Sequence, residues 1–536
     1  MKICFDIKIR RYLILILAIA KNGRRMFMDI AFGWQMREMD RKTIEEYGVL
    51  GIVLMENASM ALSEVCEDYL KSRGLKKAAI VCGAGNNGGD GFAAARLLTV
   101  RGYDVDVLLA GKEEKIKGDA LINYNALLKM GIRVIKKIED FENVISKADI
   151  VVDALFGTGF SGEVRAPYDS VIDIINGSGK YVVSVDMPSG VDSDTGKAAS
   201  HSVAADETVT FALAKIGSIL YPGAENCGRL TVAGISIPKQ VMEAAEIKIK
   251  ALDFEEARAL LPERKKRSNK GSYGRLFAFC GSKAMCGAAV LSIKSAYRAG
   301  CGLVYGCVPN ECVDIIQNLV PEAVVKPMPS INGRFSPEGA DAIAEDLKQA
   351  KAVVIGPGIG QGDEVKKFVI DILKKVQSHA VIDADGLNAL AGNAEVLAEM
   401  AKIPVITPHP GEMARLTGKS VKEILDSTID TAVDFAKKYN CVVLLKDART
   451  VIASPEGQVY INMTGNNCMS KGGSGDVLTG IIGGLLCQMD DPFKAAVLGA
   501  YIHGLCGDKA AEKLGHYGVL AGDISGFLPE VIKNME

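Results

Sequence analysis

The stretch AAIVCGAGNNGGDGFAAARLL, residues 78–98, decides the fold of the first half of the chain. It reads as a short apolar strand, a glycine-rich loop and a helix, and residues 83–88 satisfy the pattern GxGxxG. Glycines let the backbone approach a pyrophosphate, and the N-terminus of a helix favours an anion. Asp104 and Asp106, about 20 residues further on, complete a dinucleotide-binding fingerprint. The alternative interpretation is a tight turn between strand and helix.

Further apolar runs surround this stretch and alternate with helical segments. In the first half we predict six strands, at 78–82, 105–110, 150–155, 181–185, 208–212 and 230–235. After a linker near Pro238 six more follow, at 276–280, 303–308, 353–355, 380–382, 405–406 and 442–445. Such runs are typical of parallel sheets that helices cover on both faces. We therefore predict an α/β chain of two three-layer domains, a Rossmann-like doubly wound sheet in residues 26–245 and a second sheet in residues 246–536.

Composition excludes several classes of protein. A chain of 536 residues is too long for one ordinary core. The net charge of -2 and the lack of a basic run with interleaved aromatic residues argue against nucleic-acid binding. The 13 cysteines form no CxxC pair and show no zinc-binding spacing, so we expect buried thiols in a reducing, cytoplasmic compartment.

Residues 1–25 are set apart from the rest of the chain. A basic start, the apolar run from Tyr12 to Ala20 and the pair Ala18-x-Ala20 resemble a secretory signal peptide. The competing interpretation is a start codon placed too far upstream, with Met26 or Met28 as the real start. We favour the second, a dispensable extension, because everything downstream looks cytoplasmic.

Polar residues follow three of the predicted strands of the first half. Asn87 lies in the loop NNGGD, and Asp153 opens the segment DALFGTGFSGE. Asp186 opens DMPSG, which contains Ser189. Ligands of open α/β sheets bind beyond the carboxyl ends of the strands, so these side chains are predicted to converge on one site. Their oxygen atoms suit a hard cation, although each aspartate taken alone could be a cap or turn residue.

The second half carries the loop KGGSGD, residues 471–476, followed by an apolar helix. Backbone N–H groups at that helix start are suited to hold a phosphoryl group. Asp476 is placed to accept a proton from a hydroxyl that attacks phosphorus. No GxxxxGK[ST] sequence occurs, which excludes a P-loop enzyme. The alternative is a glycine-rich helix cap, but four small residues before one carboxylate exceed what capping requires.

The motifs of the first half resemble the NAD(P)H-hydrate epimerases, which interconvert the R and S hydrates (NADHX and NADPHX) of NADH and NADPH. The resemblance rests on residues 35–59, 82–98, 153–163 and 184–196. It implies that Asp186 is the acid or base of the reaction. A potassium ion would be held by Asn87, Asp153 and Ser189. The implied substrate contacts are Asn86, Asn87, Gly88, Gly89, Asp90, Gly157, Thr158, Gly159, Phe160, Ser161, Gly162 and Glu163.

The second half resembles the ADP-dependent NAD(P)H-hydrate dehydratases of the ribokinase-like superfamily. The matching segments are residues 269–282, 353–360, 381–390, 405–418 and 444–457. The resemblance implies a ribokinase-like fold in which Asp476 is catalytic and Mg²⁺ and ADP phosphorylate the ring hydroxyl, after which phosphate leaves. Substrate would contact Gly358 and His409, and Glu412 would help to organise magnesium. The implied ADP contacts are Lys446, Asp447, Ala448, Arg449, Thr450 and Gly475.

One segment departs from the family, and other functions stay open. Residues 283–289, KAMCGAA, lack the family's proline, which leaves the local packing of substrate undecided. A kinase of a small alcohol, fused to a nucleotide-binding domain, would use the same loop, and a non-catalytic nucleotide-binding regulator would keep the glycines. A dehydrogenase is disfavoured, because no suitable His or Tyr lies near the first loops. We predict a fused NAD(P)H-hydrate repair enzyme that forms a homo-oligomer and binds neither nucleic acid nor membranes.

Overall fold

A computed structural model describes residues 28–536 and divides the chain into two compact units. The first unit ends at Ile247 and the second begins at Lys248, two residues beyond the boundary expected from the sequence. The predicted extension, residues 1–25, lies outside the described residues. Between residues 28 and 536, no helix is both long and apolar enough to cross a membrane.

The first unit contains nine strands and nine helices among the residues described. Its strands are β1 (Met28–Ala31), β2 (Lys77–Cys82), β3 (Asp104–Leu109), β4 (Arg133–Ile135), β5 (Ile150–Ala154), β6 (Tyr181–Val185), β7 (Glu207–Phe211), β8 (Ala214–Lys215) and β9 (Arg229–Ala233). Its helices are α1 (Gly33–Glu45), α2 (Gly51–Arg73), α3 (Asn86–Val100), α4 (Gly118–Lys129), α5 (Phe141–Ser146), α6 (Tyr168–Gly177), α7 (Ile216–Ile219), α8 (Gly223–Cys227) and α9 (Lys239–Ala244).

The main sheet of this unit is parallel and covered on both faces. Its strand order is β4-β3-β2-β5-β6-β7-β9, and each neighbouring pair is parallel. Ala78, Ile80 and Cys82 of β2 face one buried cluster with α2, α3 and α4, whereas Ala79 and Val81 face a second cluster with α5 and α6. The strand order reverses between β2 and β5. The loops after these two strands therefore border the crevice where open α/β sheets bind ligands.

The acidic part of the predicted dinucleotide fingerprint has a different role. Asp104 and Asp106 lie at the start of β3, on the edge opposite the glycine loop. The Nζ of Lys77 is 3.5 Å from an oxygen of Asp104 and 3.2 Å from one of Asp106. An acidic residue that binds a ribose lies beyond the carboxyl end of its strand. The prediction that Asp104 and Asp106 complete a dinucleotide-binding fingerprint is therefore wrong, and these residues form ion pairs within the sheet.

The second unit is a larger sheet with helices on both sides. Its strands are β10 (Ile249–Ala251), β11 (Arg275–Phe279), β12 (Leu303–Pro309), β13 (Val324–Met328), β14 (Ser330–Ile331), β15 (Arg334–Phe335), β16 (Ala352–Ile355), β17 (His379–Ile382), β18 (Val405–Ile406), β19 (Val442–Leu445), β20 (Val451–Ala453) and β21 (Val459–Ile461). Its helices are α10 (Phe254–Leu260), α11 (Cys286–Arg298), α12 (Val313–Leu319), α13 (Gly339–Ala342), α14 (Ala344–Leu347), α15 (Asp363–Lys375), α16 (Asp385–Leu390), α17 (Pro410–Thr417), α18 (Val421–Asp426), α19 (Thr428–Tyr439), α20 (Ser474–Leu486), α21 (Pro492–Gly518) and α22 (Ala521–Met535).

The strand order of this sheet is β13-β12-β11-β16-β17-β18-β19-β20-β21-β10. The seven strands β13, β12, β11, β16, β17, β18 and β19 are parallel to their neighbours, and β20 runs antiparallel to both β19 and β21. Strands β14 and β15 form a separate antiparallel pair. Helices α11, α20, α21 and α22 cover one face. On the other face, Phe279 of β11 meets Phe335 and Phe368 edge to face, at centroid distances of 6.3 and 5.8 Å. The predicted α/β class with two helix-covered parallel sheets is confirmed.

The main difference between prediction and structure is that the prediction omitted several short strands. All twelve predicted strands are present within two residues of their expected bounds. Nine short strands were not expected, and one of them, β10, lies inside the segment predicted as a linker: β1, β4, β8, β10, β13, β14, β15, β20 and β21. Each of these nine has only two to five residues, too few for an apolar run to separate strand from loop.

Candidate active sites

The glycine turn after β2 brings backbone against backbone. A Cβ on Gly88 would lie 1.9 Å from the carbonyl oxygen of Gly83, and one on Gly83 would lie 2.3 Å from that of Leu155. Only glycine fits at both positions. Because α3 begins at Asn86, the N-terminus of a helix opens at the crevice between β2 and β5. The turn thus places the segment 86–90 at the ligand-binding edge of the sheet.

Asp153, at the end of β5, is fully buried and held by two neighbouring segments. Its Oδ1 accepts a hydrogen bond from the hydroxyl of Ser189 at 2.6 Å. Its Oδ2 accepts from the backbone N–H of Ser189 and from the hydroxyl of Ser184, both at 2.9 Å. Burial raises the pKa of Asp153, although these hydrogen bonds oppose the shift. The predicted partners Asp153 and Ser189 are therefore in direct contact.

Two more of the predicted residues meet at the loop after β5. A Cβ on Gly157 would lie 2.9 Å from Oδ1 of Asn87 and 3.5 Å from Oδ2 of Asp186. The Nδ2 of Asn87 is buried without a hydrogen-bond partner. Asn87 and Asp186 therefore flank the start of loop 157–163, and a side chain at position 157 would occupy the space between them.

Loop 157–163 is anchored at several points. The ring of Phe160 stacks on that of Phe156 with 5.5 Å between the centroids. The carbonyl of Thr158 accepts from the hydroxyl of Ser193 at 3.2 Å. Glu163 accepts from the backbone N–H of Ser200 at 3.0 Å and from its hydroxyl at 2.9 Å. In this structure the carboxylate of Glu163 thus fastens the loop to its neighbour.

Asp186 has a strained backbone and a cationic partner. Its φ is 64°, and the N–H of Met187 donates across it to the carbonyl of Val185 at 2.7 Å, which closes a rare three-residue turn. Oδ1 of Asp186 accepts from Nζ of Lys215 at 2.6 Å and from the hydroxyl of Thr210 at 3.1 Å. Residues strained in this way gather at active sites, where the surrounding structure compensates the cost.

Sequence reasoning missed two residues that surround Asp186. Lys215 has 1% of its surface exposed, and the signal for it was a lysine inside the apolar run FALAKIG. Asp40 lies on α1, and no role was predicted for it. Burial raises the pKa of Asp40 to about 6, with Lys215 opposing and Asp186 adding to the shift. Burial also raises the pKa of Asp90, and Asp186 and Asp40 add to that shift. Three carboxylates therefore share the neighbourhood of one buried lysine.

In the second unit, Asp476 lies in the first turn of α20. The helix begins at Ser474 after Gly473, whose φ of 93° favours glycine. Burial raises the pKa of Asp476 to about 7, and the nearby charge of Asp383 adds to the shift. A carboxylate whose pKa lies near neutrality is suited to take up and return a proton at physiological pH.

Asp383, which follows β17, is the centre of the hydrogen-bond network in this unit. Its Oδ1 accepts from Nζ of Lys446 and from the hydroxyl of Thr407, both at 2.7 Å. Its Oδ2 accepts from the hydroxyl of Thr479 at 2.8 Å. Burial alone would raise the pKa of Asp383, but Lys446 and the hydroxyl donors outweigh it and hold the pKa below its usual value. Residues 381–390, one of the segments that carry the resemblance, contain Asp383, but no role was predicted for it.

Gly475 joins this network to the start of α20. A Cβ on Gly475 would lie 3.5 Å from Oδ2 of Asp383 and 3.5 Å from Nζ of Lys446. Lys446 follows β19 and opens the loop 446–450. Burial alone would lower the pKa of Lys446, but Asp383 and Glu412 outweigh it and raise the pKa. A cation and a helix N-terminus thus meet at one point, which suits a phosphate group.

His409 and Glu412 form the start of α17. Nδ1 of His409 accepts from the backbone N–H of Gly411 at 2.9 Å, and Oε2 of Glu412 accepts from the backbone N–H of His409 at 2.8 Å. The side chain of His409 is 51% exposed, whereas that of Glu412 is 7% exposed. Oε2 of Glu412 lies 3.9 Å from Nζ of Lys446. The structure therefore brings Glu412 to the network of Asp383 and leaves the His409 ring open to solvent.

Gly358 lies against the segment that departs from the family. A Cβ on Gly358 would lie 2.7 Å from Cβ of Ala288 and 3.0 Å from the carbonyl of Met285, and its φ is 65°. The backbone N–H of Gly360 donates to Oδ2 of Asp385 at 2.9 Å. Asp385 was also missed by sequence reasoning, and it fixes the end of the loop that carries Gly358.

Comparison with known families matches each unit separately. Residues 276–530 match the family described as NAD(P)H-hydrate dehydratase. Residues 51–217 match the family described as YjeF-related protein N-terminus.

Similar proteins cover nearly the whole chain. The bifunctional NAD(P)H-hydrate repair enzyme of Moorella thermoacetica is 41% identical over 509 residues, which are 94% of this chain and 96% of that protein. The protein of the same name from Thermofilum pendens is 39% identical over 513 residues, with the same coverage of both chains. Among solved structures, the ADP/ATP-dependent NAD(P)H-hydrate dehydratase from Bacillus subtilis, co-crystallized with ATP and Mg²⁺, is 33% identical. The match covers 53% of this chain and 97% of that one, with a TM-score of 0.47.

Proposed function

We propose residue roles for the two activities of a chain that belongs to the family of bifunctional NAD(P)H-hydrate repair enzymes. The family predicted from the motifs is thereby confirmed. The chain interconverts the R and S hydrates of NADH and NADPH, and it uses a nucleotide to dehydrate the S hydrate to NAD(P)H. We assign epimerisation to residues 26–245 and dehydration to residues 246–536. The match of residues 276–530 to the dehydratase family supports this assignment, and each unit pairs an aspartate with a lysine at the ligand-binding edge of its sheet.

For epimerisation, Asp186 is the group that moves the proton. Its Oδ1 is occupied by Lys215 and Thr210, whereas its Oδ2 faces the start of loop 157–163. A carboxylate oxygen in that position can take a proton from the oxygen that adds to the ring and return it when that oxygen departs. The glycine turn and loop 157–163 hold the substrate, through segment 86–90 and the residues of that loop.

Potassium fits the donor chemistry of the same unit. Asn87, Asp153 and Ser189 supply amide, carboxylate and hydroxyl oxygens, the donors that hard cations take. Burial raises the pKa of Asp153, and a cation beside it would favour its ionised form. The bound ion would supply a fixed positive charge next to the substrate loop.

For dehydration, Asp476 takes the proton of the ring hydroxyl while the oxygen of that hydroxyl attacks the terminal phosphorus of the nucleotide. The bond from that phosphorus to the bridging oxygen breaks, so ADP would leave as AMP. The carbon–oxygen bond then breaks and phosphate departs. The neighbouring ring carbon loses a proton to water, and the electron pair of that carbon–hydrogen bond restores the ring double bond of NAD(P)H. The N–H groups at Gly475 and the ammonium of Lys446 lie where the negative charge develops.

The remaining contacts of the dehydratase follow the same edge of the sheet. Residues 446–450 bind the nucleotide, with ADP as the expected donor. Gly358 and His409 contact the hydrate. Magnesium commonly takes one or two protein carboxylates together with nucleotide phosphates, and Glu412 is the carboxylate that we assign to this task. The predictions of a homo-oligomer and of a cytoplasmic location stay predictions.

One experiment tests the two activities together. The full chain is mixed with both epimers of NADHX, Mg²⁺ and either ADP or ATP, and the NADH absorbance is followed. Intact protein should convert both epimers completely. Asp186→Asn should convert only the S epimer, and Asp476→Asn should convert neither while it still exchanges the epimers. If no NADH forms with either nucleotide and a stable phosphorylated product accumulates, the chain is a kinase and the proposal is wrong.

A further inference from the structure

The ammonium of Lys215 donates all three of its hydrogen bonds to protein atoms. Its Nζ donates to Oδ1 of Asp186 at 2.6 Å, to the hydroxyl of Thr210 at 2.9 Å and to the carbonyl of Phe211 at 2.9 Å. An ammonium group has three donors, so none is left for solvent or substrate. With a side chain only 2% exposed, Lys215 is a fixed cation rather than a mobile one.

The partner of Lys215 is held asymmetrically. Oδ1 of Asp186 accepts from both Lys215 and Thr210, and the N–H of Phe211 lies 3.5 Å from it. Oδ2 is the oxygen that faces the loop at Gly157. The backbone N–H of Asp186 donates to the carbonyl of Val209 at 2.8 Å. The side chain is thus clamped through one oxygen and presents the other toward the substrate loop.

Two further carboxylates, those of Asp40 and Asp90, lie within the electrostatic influence of Lys215 and Asp186. Asp90 on α3 is buried and Asp40 on α1 is half-buried, and the charge of Asp186 acts on both; burial raises the pKa of each. Lys215 opposes the shift at both groups, whereas Asp186 adds to it. Each additional negative charge disfavours ionisation of the others. Without Lys215, the carboxylates of Asp40, Asp90 and Asp186 would share a buried site, and one of them would take up a proton more readily.

We propose that Lys215 is the positioning residue of the epimerase site: its fixed positive charge clamps Asp186 through Oδ1 so that Oδ2 faces the substrate. The inference rests on the proposed role of Asp186. A merely structural salt bridge between Lys215 and Asp186 would stabilise the unit but would leave the pH dependence of epimerisation unchanged. The pH profile therefore separates the two explanations.

The test uses the full chain and pure R epimer without added nucleotide, and chromatography follows the formation of the S epimer from acid to neutral pH. Lys215→Met should lower kcat at neutral pH by about 100-fold, the lower range of what a positioned acid or base contributes. The pH at which activity falls on the acid side should also move upward. Lys215→Arg keeps the positive charge but not the three short contacts, so its acid limb should stay near that of the unaltered protein while kcat falls.

Three controls decide between folding and function. Dehydration of pure S epimer with nucleotide should be unchanged in every variant, and the fluorescence of Trp34, the single tryptophan of the chain, reports the first unit. If Lys215→Met unfolds that unit, Lys215→Arg and Thr210→Val carry the test. A folded Lys215→Met protein with an unshifted acid limb, or a Lys215→Arg protein with unchanged kcat, overturns the proposal. An active Asp186→Asn protein instead overturns the role of Asp186 itself.

Discussion

Replacing Lys446 by Met should destabilise the second unit strongly. Asp383 has 1% of its side chain exposed, and the substitution removes its cation while two hydroxyl donors remain. Breaking a buried ion pair by removing one partner costs about 3–5 kcal/mol, because a buried charge is left uncompensated. A domain of this size loses about 2–4 °C of its unfolding midpoint per kcal/mol. The midpoint of the second unit should therefore fall by roughly 6–20 °C.

The pH window of this effect follows from the two pKa shifts. The pKa of Asp383 is held below its usual value, so its contribution is complete above the usual pKa of an aspartate and is lost as pH falls through the folded-state value. The pKa of Lys446 is raised, so its contribution is complete below the usual pKa of a lysine and is lost as pH rises through the folded-state value. The full cost of the substitution is therefore expected around neutral pH.

Far-UV circular dichroism of the full chain measures the cost, and Trp34 fluorescence reports the first unit separately. The matched control is Thr479→Val, which removes one donor to Asp383 but keeps the cation and should cost about 1.5–3 kcal/mol. In an Asp383→Asn background, Lys446→Met should cost much less, because no buried charge is left behind. The reasoning is refuted if Lys446→Met costs no more than Thr479→Val, or if the Asn background does not reduce its cost.

Three further outcomes are expected. The pKa of Asp476 is raised to about 7, so the rate of dehydration at saturating substrate should fall to half near pH 7 and decrease further below it. A rate that stays constant down to pH 5 would contradict the role of Asp476 as base. Gly480→Ala would place a Cβ 2.2 Å from the carbonyl oxygen of Ser292, so it should destabilise the second unit by about 1–3 kcal/mol, as measured by thermal unfolding. The control Gly472→Ala should not destabilise it, because there is open space around Gly472. Asp153→Asn should remove any acceleration of epimerisation by K⁺ over Na⁺, and an unchanged K⁺ response would show that the ion binds elsewhere.

The sequence predicts the sheets well and the sites only in part, for a physical reason. A strand buried on both faces must be apolar along its length, so β2, β5 and β16 are visible as continuous runs. Glycine loops are visible because a close approach of backbone to backbone tolerates no other residue, as at Gly88.

The missed residues act through contacts that no local pattern records. Lys215 is one charge in an apolar run. Two of its three acceptors, Thr210 and Phe211, lie on β7, and the third, Asp186, directly follows β6. Asp40 is a single acidic residue in a helical segment, and no local pattern marks it before the charges of Lys215 and Asp186 are brought near it. Asp104 shows the converse error, because its spacing from the glycine loop matched a fingerprint whose geometry the strand direction excludes.

Both proposed sites contain a lysine paired with an aspartate. In one site the paired aspartate is the group that we propose to act, and in the other it is the neighbouring aspartate. In the first unit, the aspartate that we propose to act is the one clamped by the lysine, and the unpaired neighbour Asp40 carries the raised pKa. In the second unit, the lysine clamps Asp383, and the unpaired neighbour Asp476 is the group that we propose to act. Because the pKa of Asp476 is raised to about 7, slight acidification protonates this carboxylate. Slight acidification should therefore slow dehydration, so that the rate of repair is limited by Asp476.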